Sequence, residues 1–181
     1  FKSVSKLVSD AKYLKMVKIR QHFPNDVIED IEYEVRAQLS RPEMLDRIKL
    51  GMRIAITAGS RGISNIALII KTVCAIVKEQ GGIPYIIPAM GSHGGGTAQG
   101  QRNIIESYGI TEEYCQAEIY SCMDVKHIGD TEDGDPVYID RFAAESDGII
   151  VIGRIKPHTD FRGPYESGIM KMMVIGLGKQ Y

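Results

Sequence analysis

Met52-Arg53-Ile54-Ala55-Ile56-Thr57-Ala58 followed by Gly59-Ser60-Arg61-Gly62-Ile63-Ser64-Asn65 is the stretch that decides the fold. The first seven residues predict a strand. The next seven form a glycine-containing loop, with Ser64 or Asn65 as the N-cap of a helix running to about Gln80. Gly81-Gly82 ends that helix, and Ile83 to Pro88 supplies another strand. A strand, a loop, a helix and a strand in that order make a βαβ unit, which implies parallel strands and a right-handed crossover. The expected class is therefore α/β: a mostly parallel sheet with flanking helices in a Rossmann-like three-layer arrangement.

Upstream, Lys12 to His22 alternates polar and apolar residues, which predicts a half-exposed strand. Pro24-Asn25-Asp26 predicts a turn and a helix cap. Val27 to Leu39 then carries apolar residues at 27, 28, 31, 35 and 39, with an acidic, solvated outer face. Downstream, Thr97 to Tyr108 predicts a helix capped by Thr97 and closed by Gly109, and Thr111 opens a short helical turn. Lys126 to Ile139 predicts a hairpin insertion around Glu132-Asp133-Gly134-Asp135. Arg141 to Ser146 predicts a short helix, Gly148 to Gly153 a strand, and Ser167 to Leu177 is apolar and rich in methionine.

At 181 residues the chain is long enough for one domain with a real core. Its hydrophobic content of 44% and charged content of 25% are those of a globular protein. A formal net charge of −1, with no basic block, argues against a nucleic-acid partner. No apolar stretch reaches the roughly 20 residues a membrane span needs, and no signal-peptide pattern is present. Cys74, Cys115 and Cys122 show no CxxC or Cys/His metal spacing, so no metal ligands are assigned, and Cys74 is expected as a core thiol. A cytoplasmic location is the simplest expectation. The chain opens on Phe1 and closes without a terminating segment. Residues 1–181 are therefore expected to form one α/β domain, the N-terminal catalytic domain of a longer two-domain protein whose C-terminal domain is absent here.

Two histidines carry the chemistry. His93 sits in Met90-Gly91-Ser92-His93-Gly94-Gly95-Gly96, and His158 in Arg154-Ile155-Lys156-Pro157-His158-Thr159-Asp160-Phe161-Arg162-Gly163. Each follows the C-terminal end of a predicted strand, where open α/β sheets bind their ligands. Four glycines in positions 91 to 96 let backbone approach a ligand, and a histidine there can act as acid or base near neutral pH. Around His158, Asp160 could orient the imidazole, while Arg154, Lys156 and Arg162 suit a small carboxylate or a phosphorylated cofactor; an exposed basic loop is the alternative. The Gly59-Ser60-Arg61-Gly62 loop could hold an anion with backbone N–H groups and a bidentate arginine. It matches neither a Walker A loop nor GxGxxG, and a tight βα turn with an exposed arginine is equally consistent. Lys171 interrupts an apolar run and either snorkels or serves as a nucleophile. His22 and His127 are expected to be structural or exposed.

Taken together, the strand-Gly-Ser-Arg loop, the Gly-Ser-His turn, Gly109-Ile110-Thr111-Glu112-Glu113, the hairpin before Pro136-Val137 and Gly153-Arg154-Ile155-Lys156-Pro157-His158 resemble the N-terminal domain of the nickel-dependent lactate racemase family. The resemblance covers most of residues 14 to 178. It implies a racemase or epimerase of a 2-hydroxy acid, an isomerase acting by proton and hydride transfer. His93 and His158 fall on the acid–base pair. Lys171 falls on the lysine that carries a nickel-pincer nucleotide covalently, with Gly59, Ser60 and Arg61 binding cofactor, and Arg162 and Lys156 binding substrate. The histidine that completes nickel coordination is expected beyond Tyr181.

Two departures bear on the substrate. Ala58 stands where lactate-active relatives carry an acidic residue, and the spacing from His158 to Lys171 is longer than in the pattern. Both admit a hydroxy acid larger than lactate or differently charged. From other classes, a non-catalytic nucleotide- or anion-binding domain and an NAD-linked oxidoreductase remain open, although no GxGxxG follows the first strand.

Overall fold

A strand buried on both faces must be largely apolar, and from Ile54 onward every residue of β1 (Arg53–Ala58) is buried and all but Thr57 are apolar. The computed structural model of the chain describes residues 9, 15–24, 26–158, 160 and 162–180. Within them β1 pairs in parallel with β2 (Ile83–Pro88) on one side and with β6 (Gly148–Ile150) on the other. A short β3 (Glu118–Ile119) adds to β2, giving one parallel sheet in the order β3-β2-β1-β6. The expected α/β class and the βαβ unit hold.

The pleat divides the core in two. Ile54, Ile56, Ala58 and Ile86 face α3 (Ile66–Glu79) and α4 (Ala98–Ser107), through Ile70, Val73, Cys74, Val77 and Ile105. Ala55, Tyr85, Ile87 and Ala89 face the other way, against α6 (Arg141–Ala144) and Leu177. Tyr120 bridges this second layer between the rings of Tyr85 and Phe142, at centroid distances of 5.1 and 5.0 Å. The hairpin of β4 (Val125–Asp130) and β5 (Pro136–Asp140) forms as expected, with an irregularity between His127 and Gly129.

Local caps account for the helix starts. Thr97 accepts from the backbone N–H of Gly100, and Thr111 does the same for Tyr114 at the head of α5 (Glu112–Cys115). Asn65 precedes α3 in a left-handed conformation, φ +59°, without a side-chain cap. A further helix, α1 (Ile31–Leu39), starts later than Val27 because Asp30 is its cap, accepting from Tyr33 N–H at 2.9 Å. It is followed by the single turn α2 (Pro42–Leu45). Asn25, part of the expected earlier cap, lies outside the described residues.

Two strand expectations need correction. Residues 15–22 form no strand, and 12–14 lie outside the described residues. Alternation alone does not make a strand without a neighbour to accept its hydrogen bonds, and Met16 and Ile19 stand 97% and 81% exposed. The strand expected over 148–153 ends at Ile150. Beyond it the hydroxyl of Thr57 replaces the ladder, accepting from Ile152 N–H at 2.9 Å. That bond turns the chain off the sheet and launches the loop that carries His158. No helix among the described residues is long and apolar enough to cross a membrane.

All three cysteines are buried and free, and burial pushes the Cys74 thiol up to about 12 from 9.0. Burial raises Cys115 and Cys122 as well. As pH rises the unfolded chain releases these protons in the ordinary thiol range while the core still holds them, so folding stability falls from about pH 9 toward 12. Chemical denaturation across that window should show the loss; a flat profile contradicts the burial. Thr57→Val should cost about 1–2 kcal/mol by orphaning Ile152 N–H. That lowers the melting midpoint by roughly 2–4 °C per kcal/mol, whereas Thr57→Ser should stay near the parent in the same calorimetry.

Candidate functional site

In a parallel sheet every strand delivers its following loop to the same edge. Beside β1 the connections leave in opposite directions, to β2 through α3 on one side and back from α6 into β6 on the other. The loops therefore part at this switch point and leave a crevice. A cleft of about 330 Å³ lies there, with Gly59, Ser60, Arg61, His93, Lys156, His158 and Lys171 on its wall. Of the eight residues to which the family resemblance gives a role, seven meet in one place, all but Arg162. A second, more open depression lined by Gly62, Ile66, Tyr108 and Tyr114 among others holds no histidine, lysine, arginine or carboxylate.

Consider the wall that bears His93. Gly94, Gly95 and Gly96 all take positive φ, between 63° and 69°, which any side chain would resist. They form a tight 3₁₀ turn between His93 and the Thr97 cap. Ser60 Oγ is hydrogen-bonded to His93 Nδ1, so the first loop grips the imidazole of the second. The Ser60 carbonyl is itself held by the Tyr108 hydroxyl at 2.7 Å. A hydroxyl both donates and accepts. Ser60 can thus support either tautomer of His93.

The opposite wall is the loop after β6. His158 N–H and Gly163 N–H both donate to the Glu166 carboxylate, at 2.9 and 3.0 Å. These two donors, His158 first, hold the Glu166 carboxyl below the usual carboxylate range. Asp160 N–H donates to His158 Nδ1 at 3.1 Å. In the neutral ring that bond leaves the proton on Nε2. Asp160 thus acts on the imidazole through its backbone. Arg162 is not on the cleft wall; it donates to the His158 carbonyl at 2.9 Å and lies 3.6 Å from Glu166.

Lys171 ends the short helical turn α7 (Ile169–Lys171) and is exposed along the cleft. A π-helical turn, Met172–Gly176, follows directly. Met172 packs against Gly153: a Cβ there would come within 2.9 Å of its Cγ, so any side chain at this position would force Met172 to move. Four fixed cations, Arg61, Arg154, Lys156 and Lys171, line the cleft, with no carboxylate among the lining residues. Such a wall selects an anion.

Several contributors escaped the sequence. Glu166 organises the His158 loop, and its signal was only a carboxylate among basic residues. Gln101, fully buried, donates to the carbonyls of Gly91 and His93 at 2.7 and 3.3 Å. Lys179, also buried, donates to Pro88 O, Gln101 Oε1 and Asp140 Oδ2. Its signal was available: like Lys171, it is a lysine set in an apolar, glycine-rich run, Ile175-Gly176-Leu177-Gly178.

No curated protein and no solved structure gives a significant match to the chain. Among protein families the match is to the lactate racemase N-terminal domain, over residues 3–180. Since that match runs through every loop of the cleft, from Gly59 to Gly176, the chain belongs to the lactate racemase N-terminal domain family.

Proposed function

We propose that the cleft binds a 2-hydroxy acid, lactate-like or larger, and inverts its C2 centre with His93 and His158 as the acid–base pair. One observation carries this: two imidazoles share a crevice with four fixed cations and no lining carboxylate. The membership of the lactate racemase family supports an isomerase.

The residues also bear on the family's cofactor. Arg61 fits the anionic part of a nickel-pincer nucleotide, with Lys171 as its covalent anchor, its amine then no longer a cation, and Ser60 and Gly59 beside it. Among the described residues no group of three or more His, Cys, Asp or Glu could hold a metal ion. The chain's part would be to hold the nucleotide, which would bring the nickel with it. When bound, that group supplies the hydride acceptor.

The chain's own part is binding and proton handling. Arg61, Arg154 and Lys156 are the candidates to hold the substrate carboxylate. Arg162, bonded to the His158 carbonyl, contributes by shaping the loop. With Nδ1–H donated to Ser60, His93 offers the lone pair of Nε2 and takes the hydroxyl proton as C2 becomes planar. His158 presents Nε2–H while Asp160 occupies Nδ1. Giving up Nε2–H from this neutral ring would leave an imidazolate, so to return or take up a proton at Nε2 His158 must carry a proton on Nδ1, and the Asp160 N–H bond is released whichever way the reaction runs.

Enantiopure 2-hydroxy acids, incubated with full-length protein produced alongside the enzymes that make the cofactor, should racemise. His93→Ala and His158→Ala should each lower that rate at least about a hundredfold while circular dichroism stays unchanged. Near-parental racemisation in either variant contradicts the two-histidine assignment. A parent that binds anions but inverts nothing would leave a non-catalytic anion-binding domain.

A further inference from the structure

The Lys179 ammonium sits in the core with no exposed side-chain surface, 2.9 Å from Asp140 Oδ2, which is equally buried. Its other donors go to Pro88 O at 2.7 Å and Gln101 Oε1 at 3.1 Å, so all three N–H groups are satisfied. Asp140 uses its second oxygen to cap α6, accepting from Ala143 N–H at 3.0 Å. A buried ion pair is costly to desolvate, and apolar isosteres often stabilise a fold as well or better. What this one supplies is geometry. It joins the end of β2, the end of β5, the helix α4 and the chain's last turn at one atom.

We propose that Lys179, acting through Gln101, is a positioning residue that holds the His93 loop and the Lys171 segment in register across the cleft. Gln101 Nε2 carries the linkage onward to the carbonyls of Gly91 and His93. A second tie runs beside it: Gly91 N–H donates to Gly176 O at 3.2 Å. The stretch that begins with Lys171 at the cleft and ends with Lys179 in the core is thus bonded to the loop that carries His93. The catalytic consequence rests on the reading of His93 as an acid–base group; the positioning itself does not.

The test uses the full chain. Gln101→Glu keeps the side-chain volume and an acceptor for Lys179 but removes both donors to the His93 loop. Histidine-selective ¹H–¹³C NMR resolves the chain's 4 imidazoles. His93 signals should shift or broaden while His127, on the hairpin, keeps its own. In the loaded enzyme kcat should fall on the order of ten- to a hundredfold with KM near the parent value. Lys179→Met combined with Asp140→Asn removes the ion pair without orphaning a charge and should move His93 in the same way. Parent-like His93 signals in folded Gln101→Glu protein overturn the proposal. If His93 moves but the parent never racemises a hydroxy acid, the positioning stands and the racemase assignment falls.

Discussion

Everything in this fold depends on β1 being paired on both sides in parallel. Its buried backbone groups must be satisfied by neighbours, and β2 does so over Arg53–Ala58 while β6 does so over Ile54–Ile56. Parallel pairing then obliges each connection to return over a face of the sheet, and the loops that follow the strands gather at one edge. The crevice exists because the connections flanking β1 diverge at that edge. Gly59-Ser60-Arg61 leaves one strand, the His93 loop leaves the next, and the His158 loop leaves the third. No residue had to be recruited from afar to bring them together.

Electrostatics then determines what the crevice can hold. Guanidinium and ammonium groups without a carboxylate on the same wall are held apart by their own repulsion until an anion arrives. Carboxylates near the site act on the scaffold instead. Glu166 is occupied by two backbone donors, and Asp140 is occupied beneath the floor by Lys179 and the cap of α6. The division leaves positive groups facing the cleft and negative groups behind it. The two histidines differ in the same spirit. One imidazole is gripped by a hydroxyl that tolerates either tautomer, and the other by a backbone N–H that tolerates one.

The parts legible in the sequence are those governed by neighbours along the chain. Thr97 and Thr111 cap the helices they were expected to cap, and the Asp133-Gly134 turn closes the hairpin, because each requires only three or four consecutive residues. The two histidine loops were legible for the same reason: each follows an apolar strand. What depends on distant pairing was not. The alternating residues 15–22 lacked a partner strand, and the strand from Gly148 stopped at Ile150 because Thr57, 95 positions away, takes its next hydrogen bond. Lys179, Asp140 and Gln101 lie far apart in the sequence and meet only when the sheet assembles. Arg162, expected at the substrate, is instead folded back onto the His158 carbonyl.

Lys171 faces the same cleft as the two histidines, where the proposed cofactor would be attached. Intact mass, metal content and peptide mapping of full-length protein, produced together with the enzymes that make the cofactor, test that attachment most directly. The account predicts one covalent adduct, with nickel, on the peptide that contains Lys171. An adduct on Lys156 instead, or an active protein whose Lys171 is unmodified, would contradict it.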